Sequence, residues 1–135
     1  MANIVLGLDF GMRHIGLAIG QVITNTATPL DSIKAQDGIP EWDLIQQVID
    51  EWGVDALIVG LPYNMDGTEQ PMTALARKFG RRLEARFHLP VHFVDERLTS
   101  YEAKKELTGH GSTKKRPKNV DSVAARIIVE SWLRE

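Results

Sequence analysis

The stretch NIVLGLDFGMRHIGLAIG, residues 3–20, constrains the fold more than any other. It holds two apolar runs, each short for a helix, separated by a few residues that include a glycine. Such a pair reads as an antiparallel hairpin, NIVLGLD and HIGLAIG joined at FGM. Asp9 ends the first run. A charge beside a buried strand is expensive unless something pairs with it. Asp9 therefore either turns the chain with its head in water, as an acid before Gly11 readily does, or holds something positive.

Downstream the pattern changes. A third strand is expected within residues 24–33. Residues 41–52 place Trp42, Ile45, Val48, Ile49 and Trp52 on one side of a helix. DALIVGLP is a short apolar run closed by Gly and Pro, hence a buried strand, and YNMDGTEQP follows as a loop. Residues 71–87 read as a helix, PVHFVD as another buried strand, and residues 99–107 as a short helix opened by the Thr99/Glu102 capping box. TGHGSTKKRPKN has the composition of a loop, and residues 119–133 form the last helix. Strand–helix–strand alternation after an opening hairpin predicts an α/β fold: a mixed sheet, antiparallel at first and parallel later, with helices packed on it. All 135 residues fit one domain, 1–135, with no repeat or linker. In open sheets of this kind sites lie at the carboxyl ends of the parallel strands, where Asp9 and Asp95–Glu96 both fall.

Composition narrows the chemistry. Hydrophobic residues make up 43% and charged residues 25%, which excludes a disordered chain. With no cysteine, any metal must be held by oxygen or imidazole. No His spacing suggests zinc. The N-terminus has no basic leader, and no apolar stretch is long enough to span a bilayer, so the expected compartment is the cytoplasm. The net charge of −2 conceals an asymmetry: residues 1–70 hold ten acids and two bases, and residues 71–135 hold eight acids and fourteen bases. One surface can therefore attract a polyanion while the whole stays near neutral.

Asp121 lies in the first turn of the last helix. At about 100° per residue, Ala124, Ala125, Ile128 and Trp132 fall within ~60° of it, so it belongs to the stripe that faces the sheet. A favourable helix-dipole interaction explains an acid in that turn, but not one in line with the core. Acids from two strand ends and one helix start then converge on one crevice. Like charges at close range cannot all stay ionised unless a cation joins them. Oxygen ligands suit Mg²⁺ or Mn²⁺, ions that activate water and steady the leaving oxygen of a phosphodiester. Strand alternation alone does not separate Asp95 from Glu96.

The blocks LDFGMRHIGLA, IVGLPYNMDGTEQP, DERLTSYEA and KKRPKNVDSVAARIIVESWL, in this order and spacing, resemble those of the YqgF family. That family groups Holliday-junction-resolvase-like nucleases of ribonuclease H-like fold, linked to pre-16S ribosomal RNA processing. The resemblance runs from residue 3 to 134. It implies that Asp9, Glu96 and Asp121 are the catalytic, metal-binding acids, with Glu96 chosen over Asp95 on the family pattern alone. The implied reaction is divalent-metal-dependent hydrolysis of phosphodiesters in structured nucleic acid during ribosome biogenesis. Arg13 stands where relatives often carry Lys, and Gln21 near where many carry an acid; Gln21 is given no role.

Expected substrate contacts are Arg13, Asn64, Arg97 and the basic loop Lys114, Lys115, Arg116 and Lys118, just before the Asp121 helix. Each has a plainer reading: Asn64 as a turn former, Arg97 as the partner of an acid, the KKRPK run as a solvated loop. The rows Arg77/Arg81 and Lys78/Arg82/Arg86 read as a solvated helix face. His110 is a proton-shuttle candidate on chemistry alone, and the three tryptophans read as packing. The competing functions are a resolvase of four-way DNA, which needs paired cuts from a dimer, and a non-catalytic nucleic-acid-binding module, which does not require an inward Asp121. An actin-like ATPase shares the Asp-x-Gly after the first strand, but needs two such domains. A near-neutral chain binds nucleic acid weakly at physiological salt, so a ribosome-associated protein partner is expected, with the chain a monomer or weak dimer and no membrane contact.

Overall fold

A computed structural model of the chain describes residues 2–97 and 120–135, with the backbone alone for Val120 and Asp121. The expected hairpin forms from β1 (Ile4–Asp9) and β2 (His14–Gln21), antiparallel, with Val5 opposite Gly20 and Asp9 opposite Gly16. β3 (Thr26–Gln36) pairs antiparallel with β2 and extends past the 24–33 window. Its exposed positions and internal Pro29 had blurred the period-2 signal. The two-residue β4 (Ile39–Pro40) pairs with its end, too short to leave a periodic pattern in the sequence.

α1 (Trp42–Trp52) buries Ile45 and Ile49 and stops at Gly53, whose φ of +67° closes the C-terminus by donating its N–H to the Ile49 carbonyl. β5 (Ala56–Leu61) is buried at every position and pairs parallel with β1. α2 (Pro71–Phe87) begins with Pro at N1 and a reciprocal Gln70/Thr73 capping pair. β6 (Val91–Asp95) pairs parallel with β5, and α3 (Val120–Leu133) closes the described chain. The helix expected at 99–107, His110 and Lys114, Lys115, Arg116 and Lys118 lie outside the described residues.

The strand order is β4-β3-β2-β1-β5-β6, the mixed sheet that the pattern predicts. One expectation is corrected. The apolar run PVHFVD predicts a buried strand, but among the described residues β6 is an edge strand in which Val94 alone is buried and Phe93 is 39% exposed. A short apolar run cannot reveal whether a second neighbour flanks it.

Alternation sorts the sheet into two cores. Leu6, Leu8, Leu57 and Val59 face α1 and α2 through Ile45, Phe79 and Leu83. Val5, Ala18, Ala56, Ile58 and Val94 face α3 through Ala125, Ile128 and Val129. Each large aliphatic so buried contributes about 1.5–3 kcal/mol relative to exposure. α3 approaches closely because Gly7 and Gly20 present no side chain. A Cβ on either would lie 2.2 or 2.4 Å from a Val129 methyl. The buried Ser122 hydroxyl donates to the Leu30 carbonyl and ties the first turn of α3 to β3.

Candidate active site at the carboxyl ends of the parallel strands

Asp9 is two residues beyond Gly7 and so shares the α3 face of β1, whereas Phe10 turns to the other face and packs 5.0 Å from Phe79. In the parallel ladder Leu8 stands opposite Val59, which brings Asp9 beside Gly60. Gly60 is opposite Val94 on β6, and Val94 belongs to the α3 core. Glu96, two residues on, returns to that face. Its side chain lies over Gly60, where an added Cβ would meet Glu96 Cγ at 2.6 Å and Cδ at 2.8 Å. Asp9 and Glu96 therefore come together across one strand, on the α3 face, at the carboxyl end of the sheet.

α3 supplies the third wall. Its Ala125 carbonyl lies against Gly7 and its Val129 against Gly7 and Gly20, so the helix runs antiparallel to β1. Asp121 precedes Ala125 by one turn, about 6 Å of axial rise. Asp9 follows Gly7 by two strand residues, about 6.6 Å. The backbone at the start of α3 thus comes level with Asp9. No group of three or more His, Asp or Glu side chains able to hold a metal occurs among the described residues, a set that leaves out the Asp121 side chain. The donors that do converge are hard carboxylate oxygens, the set that suits Mg²⁺ or Mn²⁺ rather than a softer ion.

Asp95 takes the opposite face. Its carboxylate accepts from Arg97 Nη2 at 2.6 Å, from Nε at 2.9 Å and from the Arg97 backbone N–H at 2.9 Å. The Arg97 hydrogen bonds hold the Asp95 carboxyl below its ordinary range, against a smaller upward push from burial. Arg97 also lies 5.9 Å from the Tyr63 ring centroid. Of the two acids that the sequence left in doubt, one is thus committed to an arginine on the α2 face and the other reaches the α3 face. The Asp95–Arg97 pair, Leu61, Tyr63, Gly67 and Phe93 line an open cavity of ≈ 460 Å³ on the α2 side of the same sheet end.

The remaining expected contacts are dispersed. Asn64 shapes its own loop: its amide donates to Thr68 Oγ1 at 3.0 Å, and its backbone N–H to the Thr68 carbonyl at 2.9 Å. Arg13 is exposed in the β1–β2 turn, where its carbonyl accepts from Ala35 N–H at 2.8 Å. The Arg77 guanidinium is bonded to Glu69 and, at 3.3 Å, to Tyr63. Sequence reasoning passed over Gly60, although an isolated glycine inside an apolar strand is itself a signal of close approach.

The chain matches, over residues 3–135, the family model described as "RuvX: Holliday junction resolvase". A relative from Coxiella burnetii, "Putative pre-16S rRNA nuclease", is 52% identical over 132 residues, covering 98% of this chain and 93% of its own. One of the same name from Actinobacillus pleuropneumoniae is 56% identical over 133 residues, covering 98% and 97%. The solved structure of T. thermophilus RuvC in complex with a Holliday junction substrate superposes with a TM-score of 0.54 at 21% identity, covering 93% of this chain and 90% of that one. At that identity the likeness speaks for the fold, a ribonuclease H-like mixed sheet of the RuvC type.

Proposed function

The chain belongs to the RuvX family of Holliday-junction-resolvase-like proteins, the YqgF group whose blocks its sequence resembles, and from that premise we propose that it is a nuclease processing the 5′ end of precursor 16S rRNA. The observation that carries this reading is the approach of Glu96, lying over Gly60, to Asp9 on the neighbouring strand, with the start of α3 level with them. Asp9, Glu96 and Asp121 are the residues that would hold Mg²⁺ or Mn²⁺. When bound, such an ion polarises a phosphoryl oxygen and makes water a stronger nucleophile near neutral pH.

The chain's own contribution is position. Gly60 leaves room for the Glu96 carboxylate against β5, and the β1–β5 register fixes Asp9 beside it. Held this way, the carboxylates need no reorganisation when a phosphodiester arrives. Arg13, and the basic residues Lys114, Lys115, Arg116 and Lys118 that precede α3, would meet the phosphates of the substrate. Asn64 and Arg97 would contribute by holding the loop and cavity beside the site. We assign residues 1–135 to one nuclease domain working in the cytoplasm, where precursor rRNA is found. Substrate delivery by a ribosome-associated protein fits the near-neutral charge. No helix among the described residues is long and apolar enough to cross a membrane. The family's description favours a second reading, resolution of four-way DNA by the same acids.

The deciding assay offers labelled rRNA precursor and a four-way DNA junction to wild type and Asp9→Asn, with Mg²⁺, Mn²⁺ or EDTA. Metal-dependent cutting of the precursor, reduced at least ~100-fold in Asp9→Asn, is expected. Preference for the junction would transfer the assignment to the second reading. Binding without cutting in every metal would leave a non-catalytic module and refute both.

A further inference from the structure

Beyond the acids, α2 carries Lys78, Arg82 and Arg86 at intervals of four, all exposed. They form one row whose backbone positions are about 6 Å apart along the axis. The sequence alone reads this row as a solvated face, but in the fold it borders a groove. Two cavities, of ≈ 140 and ≈ 470 Å³, lie end to end along it and share Ile39 and Arg82 in their walls. The floor is aromatic: Phe10 and Trp42 pack on Phe79 at 5.0 and 6.0 Å between centroids.

The Arg86 guanidinium sits 4.3 Å from the Trp42 ring centroid, which fixes one end of the row. Among the described residues, neither Lys78 nor Arg82 has an acidic partner within salt-bridge distance. The rim adds Ile39 and Leu75, 48% and 40% exposed, and one acid, Asp37. The groove starts at Phe10, the residue after Asp9.

We propose that this groove binds the single-stranded flank of the nucleic-acid substrate, its phosphates against Lys78, Arg82 and Arg86 and its bases against the apolar rim. The proposal rests on the nuclease reading and adds to it a second contact surface, on the opposite face of the sheet from the acids. A positive track beside apolar and aromatic surface is what an unpaired strand requires, because its backbone is charged at each step and its bases are exposed. The cations follow one another at a nearly constant interval along a rigid helix, which suits a repeating anion. A protein partner would have to bring several acids into that same row.

The test is fluorescence anisotropy of a labelled single-stranded RNA oligonucleotide in EDTA, so that no cutting intervenes. Wild type is compared with Lys78→Gln/Arg82→Gln and with Arg81→Gln, which removes an exposed charge from the same helix outside the groove. Circular dichroism confirms that each variant is folded. The double variant is expected to bind about 10-fold more weakly, with a slope of log affinity against log salt smaller by ~1.4. Arg81→Gln is expected to stay within about twofold of wild type. Equal binding by the double variant and wild type, the outcome if Ile39 and Leu75 serve a protein instead, overturns the proposal and leaves the nuclease assignment standing. Weakened binding by the double variant, in a protein that cuts nothing, would keep the groove and refute the nuclease.

Discussion

Replacing Gly60 with alanine would put a Cβ 2.6 Å from Glu96 Cγ, 2.8 Å from Glu96 Cδ and 2.6 Å from Ile128 Cδ1. These contacts differ in how they relax. Ile128 Cδ1 is the far end of a flexible side chain and can swing away. Glu96 Cγ and Cδ cannot retreat without carrying the carboxylate with them. Overpacking of this kind costs about 1–3 kcal/mol. The smaller unfolded-state entropy of alanine returns ~0.4–1 kcal/mol, because Gly60 has no positive φ for alanine to resent. The net loss is about 1–2 kcal/mol, or roughly 4–8 °C in Tm for a chain of this size. The consequence for cleavage should be larger, since displacing a reacting group by an ångström can cost ~100-fold.

Gly20→Ala is the matched comparison. Its Cβ would lie 2.4 Å from Val129 Cγ1 and 2.8 Å from Val5 Cγ2, straining the same helix far from Glu96. Thermal melts and single-turnover cleavage of rRNA precursor are measured for both. The two variants should lose similar stability, while Gly60→Ala alone loses about 100-fold in rate below its melting temperature. In Gly60→Ala/Ile128→Val, stability should recover in part and the rate should not. A folded Gly60→Ala that cuts as fast as wild type would refute the reasoning: either Glu96 is not at the chemistry or Gly60 does not hold it there.

Two further predictions follow from buried and paired groups. Thr73 is fully buried, donates its hydroxyl to the Pro62 carbonyl and accepts the Gln70 N–H at 3.1 Å; Thr73→Val should cost ~1–3 kcal/mol in urea unfolding with an unchanged m-value. Asp95 has a depressed folded-state pKa because of Arg97, so its contribution to stability is present above its ordinary value of 3.8 and is lost as pH falls through the folded value. Arg97→Gln should raise the midpoint of the Asp95 carboxyl titration followed by NMR and flatten the acid limb below about pH 4; an unmoved midpoint would show that the pair is not formed in solution.

Much of the frame was legible because it rests on periodicity. The hairpin, both early helices and the all-buried β5 each fill a recognisable template, and α2 runs from Pro71 to Phe87 as read. What escaped depends on neighbours. β6 looks like β5 in sequence, yet one is an edge strand and the other is covered on both faces. Asp95 and Glu96 show why the site was only half legible. In a strand, adjacent residues take opposite faces, so the choice between them depends on the β5–β6 register, and register is not a local property. The basic row on α2 was visible as charge, but the groove beside it needed the wall that Ile39 of β4 builds from about 40 positions upstream.

The tight seat of α3 on Gly7 and Gly20 has a consequence in time. A nascent chain that has been made only as far as residue 97 already contains every described strand, yet the face bearing Val5, Ala18, Ile58 and Val94 has nothing over it. Until residues 120–133 emerge from the ribosome and dock, that face is a sticky apolar surface, and Asp9 and Glu96 lack their third wall. A site walled by β1, the end of β6 and α3 can therefore be complete only after the last stretch of the chain has been made and has docked.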